Sequence, residues 1–382
     1  MPSRERLRAL AEEHGCVGFG VTSADGFPSS TATMQRRKAE GLSAGLGFTY
    51  ADPETAGEPR RSFPWAVSIV VVARPYLPEA GSPGAHRDGT VRVARFATGD
   101  RYAPLREALG AIVADLEGGG NRAVPVLDDR RLVDRAAAVR AGVGWWGKST
   151  MVLVPGAGPW VLLGSVITDA ALPVDRPMTR TCGTCTACLP ACPTGAIIAP
   201  GVLDARLCLA SWLQSPGVIP RELREAADDR IYGCDDCLTS CPPGHRLLER
   251  SLLPQGRLPL VEILGADDAT LLARFGNFYI PRRQPRYLRR NTIVAAGNDG
   301  SDELLGPLVG FLGHPDWLLR AHAAWAVGRF RGSVPAAALA AARVAERDPR
   351  VREEIGAALS GSEEDHGDAV YAAPVAGTTR CC

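Results

Sequence analysis

The chain has 382 residues, 46% hydrophobic and 22% charged, which is enough to bury two or three domain cores and too apolar for a disordered or fibrous protein. Its 43 basic residues against 42 acidic ones leave a formal charge of +1, so no global field draws nucleic acid or membrane, and any basic surface is local. All the basic residues except Lys38 and Lys148 are arginine, so an arginine by itself says little about phosphate binding, and its placement has to decide.

The opening MPSRERLRALAEEHG predicts an amphipathic helix with Leu7, Leu10 and Ala11 on one face and Gly15 near its end. It lacks the apolar run of a signal peptide. The most apolar stretch, Trp65 to Ala73, falls well short of the roughly 20 residues needed to span a bilayer, so a cytoplasmic protein without a membrane partner is expected. WAVSIVVVARPY and PWVLLGSVITD read as buried strands, RYAPLREALGAIVADLEGGG as a helix ended by glycines, and Val133 to Ala141 as a helix running into the glycine turn of VGWWGK. This alternation predicts an α/β domain over residues 1–175.

From 176 to 250 the periodicity fades and Cys, Pro and Gly dominate, as expected of a module held by metal ligation more than by an apolar core. From 255 to 361 the chain reads as helical, with a repeat in which Arg289, Arg320 and Arg352 recur at the spacing of stacked helix pairs. Residues 362–382 read as a polar, disordered tail.

Eight of the 11 cysteines lie between Cys182 and Cys241. Cys182, Cys185, Cys188 and Cys192 form C-x2-C-x2-C-x3-C-P, the bacterial ferredoxin run, whose fourth thiolate ligates the other of two 4Fe-4S cubes. The second set is Cys208 with Cys234, Cys237 and Cys241. Exchange of the last cysteines assigns Cys182, Cys185, Cys188 and Cys241 to one cluster, and Cys192, Cys208, Cys234 and Cys237 to the other. Paired zinc sites are the competing reading of C-x2-C pairs, but zinc does not require three cysteines at this interval before a Cys-Pro. Cys16 reads as a buried small hydrophobe, and Cys381 and Cys382 as a frayed end.

DDRRLVDRAAAVRAGVGWWGKST, LLGSVITDAALP, CGTCTACLPACPTGAI and RIYGCDDCLTSCPPG occur in the order and near the spacing of the epoxyqueuosine reductases, and the chain resembles that family from about residue 5 to 360. The resemblance implies an α+β multidomain protein: a nitroreductase-like cobalamin domain, a ferredoxin-like module with two 4Fe-4S clusters and C-terminal HEAT-like helical repeats. It implies reductive removal of an epoxide oxygen from a modified wobble base in a tRNA anticodon stem-loop, with electrons arriving from an external low-potential donor, by a protein expected to be a monomer. By the family pattern the general acid falls on Asp128, six residues before Asp134-Arg135, in an apolar pocket that would raise its pKa. Asp129 competes on spacing alone, and Asp134 reads as a cap or salt-bridge partner.

The cobalamin contacts implied are Asp128, Lys148, Ser149, Ser211, Gly233 and Asp235. Lys148 suits a turn equally well, and Trp145 and Trp146 read as core. Arg282, Arg283, Arg286, Arg289 and Arg290, interleaved with Tyr279 and Tyr287, suit phosphates and unstacked loop bases, a solvated helix face being the alternative. The chain departs from the family at LDDRRLV, at GDRYAP with Ala103 in a histidine place, and at LASWLQSPG. Those departures motivate a second reading, a reductase of the same build acting on a small molecule. A third is an electron carrier with a helical docking domain.

Overall fold

The computed structural model describes residues 3–77, 89–250 and 257–361; the expected tail and Cys381 and Cys382 lie outside them. At its centre is a four-stranded sheet in the order Gly18–Ser23, Ser68–Pro75, Val161–Thr168, Ala123–Val126, with every neighbouring pair antiparallel. Ser68–Pro75 is an unbroken apolar run because both of its faces are covered. Val70 and Val72 pack with Leu105, Leu109 and Ile112 of the helix Tyr102–Gly118 and with Leu7 and Ala11 of the helix Arg4–Glu13. Ile69, Val71 and Ala73 face the other way, onto Ala137 and Ala138 of the helix Asp134–Arg140 and onto Phe63. Gly20 allows that helix to seat: a Cβ there would come within 2.0 Å of the Ala141 carbonyl oxygen.

A second, three-stranded sheet joins all three parts of the chain. Thr90–Val93 lies in its middle, parallel to Arg230–Tyr232 and antiparallel to Arg257–Pro259. Val91 and Val93 share a core with Ile231, Leu260 and Ile293, so the C-terminal helices pack directly on residues from the first half of the chain.

The C-terminal helices are Leu260–Gly265, Asp268–Arg274, Arg286–Asp299, Asp302–Phe311, Trp317–Val327, Ser333–Ala345 and Pro349–Gly361. The repeated arginines have a structural reason. Arg289 donates to the Ala266 carbonyl at 2.5 Å and to Asp268 at 2.9 Å, and Arg320 donates to the His314 carbonyl at 2.8 Å and to Glu346 at 2.7 Å. Arg289 ties its helix to the turn between Leu260–Gly265 and Asp268–Arg274, and Arg320 ties its own to the preceding loop and to the end of Ser333–Ala345.

Among the described residues no helix is long and apolar enough to cross a membrane.

Candidate active site and the two thiol sets

All eight cysteines of the central segment are free thiols, as is the buried Cys16. Cys188 is raised by burial and then by the charges of Cys182 and Cys185, and burial followed by Cys182, Cys185 and Cys188 pushes Cys241 up to about 11. Cys237 is raised by burial, then by Cys234, Cys208 and Cys192 and last by Cys188 of the first set, while burial and Asp236 push Cys234 to about 12. Cys182, Cys185, Cys188 and Cys241 are thus neighbours in space, as are Cys192, Cys208, Cys234 and Cys237. Among the described residues no three His, Cys, Asp or Glu close on a single ion. Crowded, buried thiols resist ionisation by themselves, and an iron centre reverses that by binding the thiolate, so the donor set fits the clusters its spacing implies.

The elements around the sulfurs stiffen both sets. The Ala196 N–H donates to Cys192 Sγ at 3.2 Å, and the helix Leu209–Gln214 aims its first N–H groups at Cys208. Lys148 Nζ donates to the Gly183 carbonyl at 2.7 Å, bracing the loop between Cys182 and Cys185. Its ammonium thus props this loop with one of its three donors.

Asp235, between Cys234 and Cys237, is buried and accepts from the Arg95 main-chain N–H at 2.8 Å and from its guanidinium at 3.3 Å. The carboxylate expected to meet a cofactor is thus committed to Arg95, whose guanidinium also lies 5.3 Å over the Trp160 ring. Gly233 has φ +69°, and a Cβ there would meet the Ala94 Cβ at 2.6 Å, so main chain alone passes this point. Ser149 is buried and Ser211 half-buried.

Asp128 lies in the loop between the strand Ala123–Val126 and the helix Asp134–Arg140, with φ +47°, a left-handed conformation that aspartate tolerates better than most residues. It is exposed, so side chains of the protein do not supply the expected apolar surroundings. Its neighbours were not legible beforehand. Tyr102 is raised by burial and then by the Asp128 charge, and burial followed by the opposing Tyr279 N–H and the Asp128 charge leaves Tyr232 at about 12. Tyr76 is buried and feels the charges of Asp235, Arg95, Cys237 and Tyr102. Three tyrosines therefore run from the second thiol set to Asp128.

The adjacent carboxylates separate cleanly. Asp129 is held below the usual range by its bond to Arg131, which makes it a poor acid. Asp134 neither caps the helix nor forms an ion pair among the described residues. Its oxygen accepts from the Arg135 main-chain N–H at 2.7 Å, and burial raises its pKa with Asp128 adding to the rise.

Residues 181–244 match the 4Fe-4S double cluster binding domain, and residues 280–360 match HEAT repeats. An epoxyqueuosine reductase of Bacillus cereus is 32% identical over 373 residues, covering 93% of this chain and 96% of the relative. The chain belongs to the epoxyqueuosine reductase family. Members of this family are oxidoreductases. A crystal structure of an epoxyqueuosine reductase with a tRNA-Tyr epoxyqueuosine-modified stem loop superposes with a TM-score of 0.86 at 30% identity, covering 94% of this chain and 98% of the other. A Bacillus subtilis epoxyqueuosine reductase with its aspartate catalytic loop swung out of the active site gives 0.85 at 30% identity, with the same two coverages.

The arginine cluster of this epoxyqueuosine reductase family member divides. Arg290 is fully buried and donates to the carbonyls of Ser215 at 3.0 Å, Gly217 at 2.5 Å and Trp212 at 2.9 Å, which removes it from any RNA surface. Arg289 is engaged with Ala266 and Asp268, and Arg286 pairs with Asp316 at 2.8 Å. Arg290 is structural because arginine on a helix face is as able to satisfy main-chain carbonyls as to meet phosphate, whereas Arg286 and Arg289 are only partly engaged by these contacts. Arg282 and Arg283 are exposed beside Tyr279, which is 67% exposed, and both have positive φ; Arg283 also donates to the Leu272 carbonyl at 3.1 Å.

Proposed function

We propose that the protein reduces epoxyqueuosine to queuosine at the wobble position of a tRNA anticodon loop, in the cytoplasm and as a monomer, drawing electrons from an external low-potential donor. The observation that carries this reading is the shared surroundings of Cys237 and Asp128, linked by Tyr76 and Tyr102. A redox centre and a proton donor at opposite ends of one aromatic wall suit a reaction that needs both. Removing an epoxide oxygen as water takes two electrons and two protons and leaves an alkene.

Cys182, Cys185, Cys188 and Cys241 would hold one 4Fe-4S cluster, and Cys192, Cys208, Cys234 and Cys237 the other. A cobalamin would lie against Asp128, Lys148, Ser149, Ser211 and the Gly233 main chain, within a nitroreductase-like domain. The half-buried Tyr102 and the exposed Asp128 carboxylate would face such a macrocycle, with Tyr76 and Tyr232 buried behind them. When bound, the corrin supplies the strong reductant that carbon–oxygen cleavage requires.

Asp128 places its carboxyl where a departing oxygen can take the proton, and its exposure lets the substrate reach it. Tyr102 shares a hydrogen bond with Asp128 and fixes its carboxyl, while the Tyr232 hydroxyl is engaged by the Tyr279 main-chain N–H. Arg282 and Arg283, with Tyr279, offer charge and a stacking face to the stem-loop.

The test is mass analysis of tRNA nucleosides after anaerobic incubation of the reconstituted protein with reductant and cobalamin. Conversion of the epoxide to the cyclopentene is expected, and its persistence overturns the reading.

A further inference from the structure

A groove of about 610 Å³ opens beside the first thiol set, lined among others by Trp145, Gly158, Arg180, Thr181, Pro243 and Arg246. It is continuous in sequence with two residues of that set, since Thr181 precedes Cys182 and Pro243 lies two residues after Cys241. Among the described residues the only charged side chains lining it are Arg180 and Arg246, both exposed, and no carboxylate lines it. The Arg180 guanidinium lies 5.8 Å from the Trp145 ring centre, and the indole N–H of that tryptophan has no hydrogen-bond partner. The floor is firm: a Cβ at Gly158 would stand 3.2 Å from the Gly244 nitrogen.

Cys182 and Cys185 are half-exposed and flank the exposed Gly183 and Thr184, while Cys188 of the same set is buried. The cysteines of the second set are half-exposed too, but Asp235 between them is buried, and its charge and that of Cys237 reach the buried Tyr76. The exposed Gly183–Thr184 turn gives an outside molecule an approach to the first set, and the groove is the concave feature next to it.

We propose that this groove is the docking face for an acidic one-electron carrier protein, whose carboxylates meet Arg180 and Arg246 and whose redox centre is thereby brought beside Cys182 and Cys241. Charge complementarity selects the partner, because two arginines around an aromatic floor with no acid among the lining residues attract an acidic surface and steer its approach. The carrier gives up one electron per encounter and is oxidised. Two encounters supply the two electrons that convert an epoxide and two protons into an alkene and water. The inference rests on the reductase reading above, but it is read out without tRNA.

The test uses the holoprotein, anaerobically, with a reduced plant-type 2Fe-2S ferredoxin as the acidic carrier. Wild type should bind it with an affinity that falls as salt rises, and mixing should bleach the 4Fe-4S absorbance rapidly. Arg180→Glu with Arg246→Glu should weaken binding and slow bleaching at least tenfold, while bleaching by dithionite is unchanged. Arg180→Lys with Arg246→Lys should keep most of the binding. Equal affinity and equal bleaching rates for wild type and the glutamate pair overturn the proposal, as does displacement of ferredoxin by a tRNA stem-loop, which would give the groove to RNA. Failure of the reductase reading looks different: bleaching by ferredoxin stays intact, and no cyclopentene forms when epoxide-bearing tRNA is added.

Discussion

Arg95 grips Asp235 twice, through its main-chain N–H at 2.8 Å and its guanidinium at 3.3 Å, across 140 positions of sequence. The carboxylate side chain is 6% exposed, so its removal strands both donors in a site that water barely reaches. Breaking a buried pair by deleting one partner costs about 3–5 kcal/mol. Asp235→Ala should therefore lower the denaturation midpoint of the holoprotein far more than Asp235→Asn, which keeps an acceptor for the Arg95 N–H. Equal midpoints for the two variants would show that the contact contributes nothing to holding the thiol segment against the α/β domain.

Asp128 and Asp129 are neighbours with opposite surroundings, and their variants should behave oppositely. Asp128→Asn should lower turnover by at least about 100-fold, the usual worth of a positioned general acid, with iron content and stem-loop affinity unchanged. Asp129→Asn loses only its bond to the half-exposed Arg131 and should keep most of its activity. Asp134→Asn is the informative third arm, because burial already raises that carboxyl. Were Asp134→Asn inactive and Asp128→Asn active under the same assay, the acid would be Asp134.

The exchange of cysteines between clusters can be read by iron analysis of double variants. With two cubes the wild type holds about eight irons. Cys188→Ser with Cys241→Ser should retain as much iron as Cys241→Ser alone, since both ligate one cube. Cys192→Ser with Cys241→Ser should lose both cubes. The reverse pattern would return Cys192 to the cluster of its sequence neighbours.

The cysteines were legible because a metal constrains spacing along the chain, and seven of the eight expected ligands fall in two short runs. The buried strands were legible for a similar local reason: a sheet covered on both faces demands an unbroken apolar run such as Ser68–Pro75. The wall between Cys237 and Asp128 was not, because Tyr76, Tyr102 and Tyr232 come from three distant segments and none carries a motif. The arginine cluster misled for a physical reason. A guanidinium forms the same hydrogen bonds to a buried carbonyl as to a phosphate, and only the packing of the helix Arg286–Asp299 on Trp212 and Ser215 shows which one Arg290 makes.

That division makes Arg282 and Arg290 a matched pair. Arg282→Ala should weaken stem-loop binding and reduce its salt dependence by about one counterion, leaving the fold intact. Arg290→Ala should do the reverse: the carbonyls of Trp212, Ser215 and Gly217 lose the donor that ties their loop to the helix, the fully buried side chain leaves a void, and the denaturation midpoint drops. Titration of a fluorescent stem-loop at several salt concentrations, alongside chemical denaturation, separates the two effects. Loss of salt dependence in Arg290→Ala at wild-type stability would contradict the assignment.

Glu354 links the last helix to the thiol module, accepting from Arg224 at 2.8 and 3.0 Å and from Arg221 at 2.9 Å. Burial opposes its charge, but the two arginines outweigh burial and hold its pKa below the ordinary value. A carboxyl depressed in the folded state binds fewer protons than it does unfolded, so stability rises with pH through that window. The contribution is complete above the unfolded value of about 4.3 and is lost as pH falls through the folded one. Glu354→Gln should therefore cost about 3 kcal/mol at pH 7, because it leaves the buried Arg224 without its counter-charge. The gap between variant and wild type should close as pH is lowered below about 4 in denaturant titrations. A gap that stays constant from pH 7 to 3 would mean that the pair holds the two parts together by shape and hydrogen bonding alone, with no contribution from the charge of Glu354.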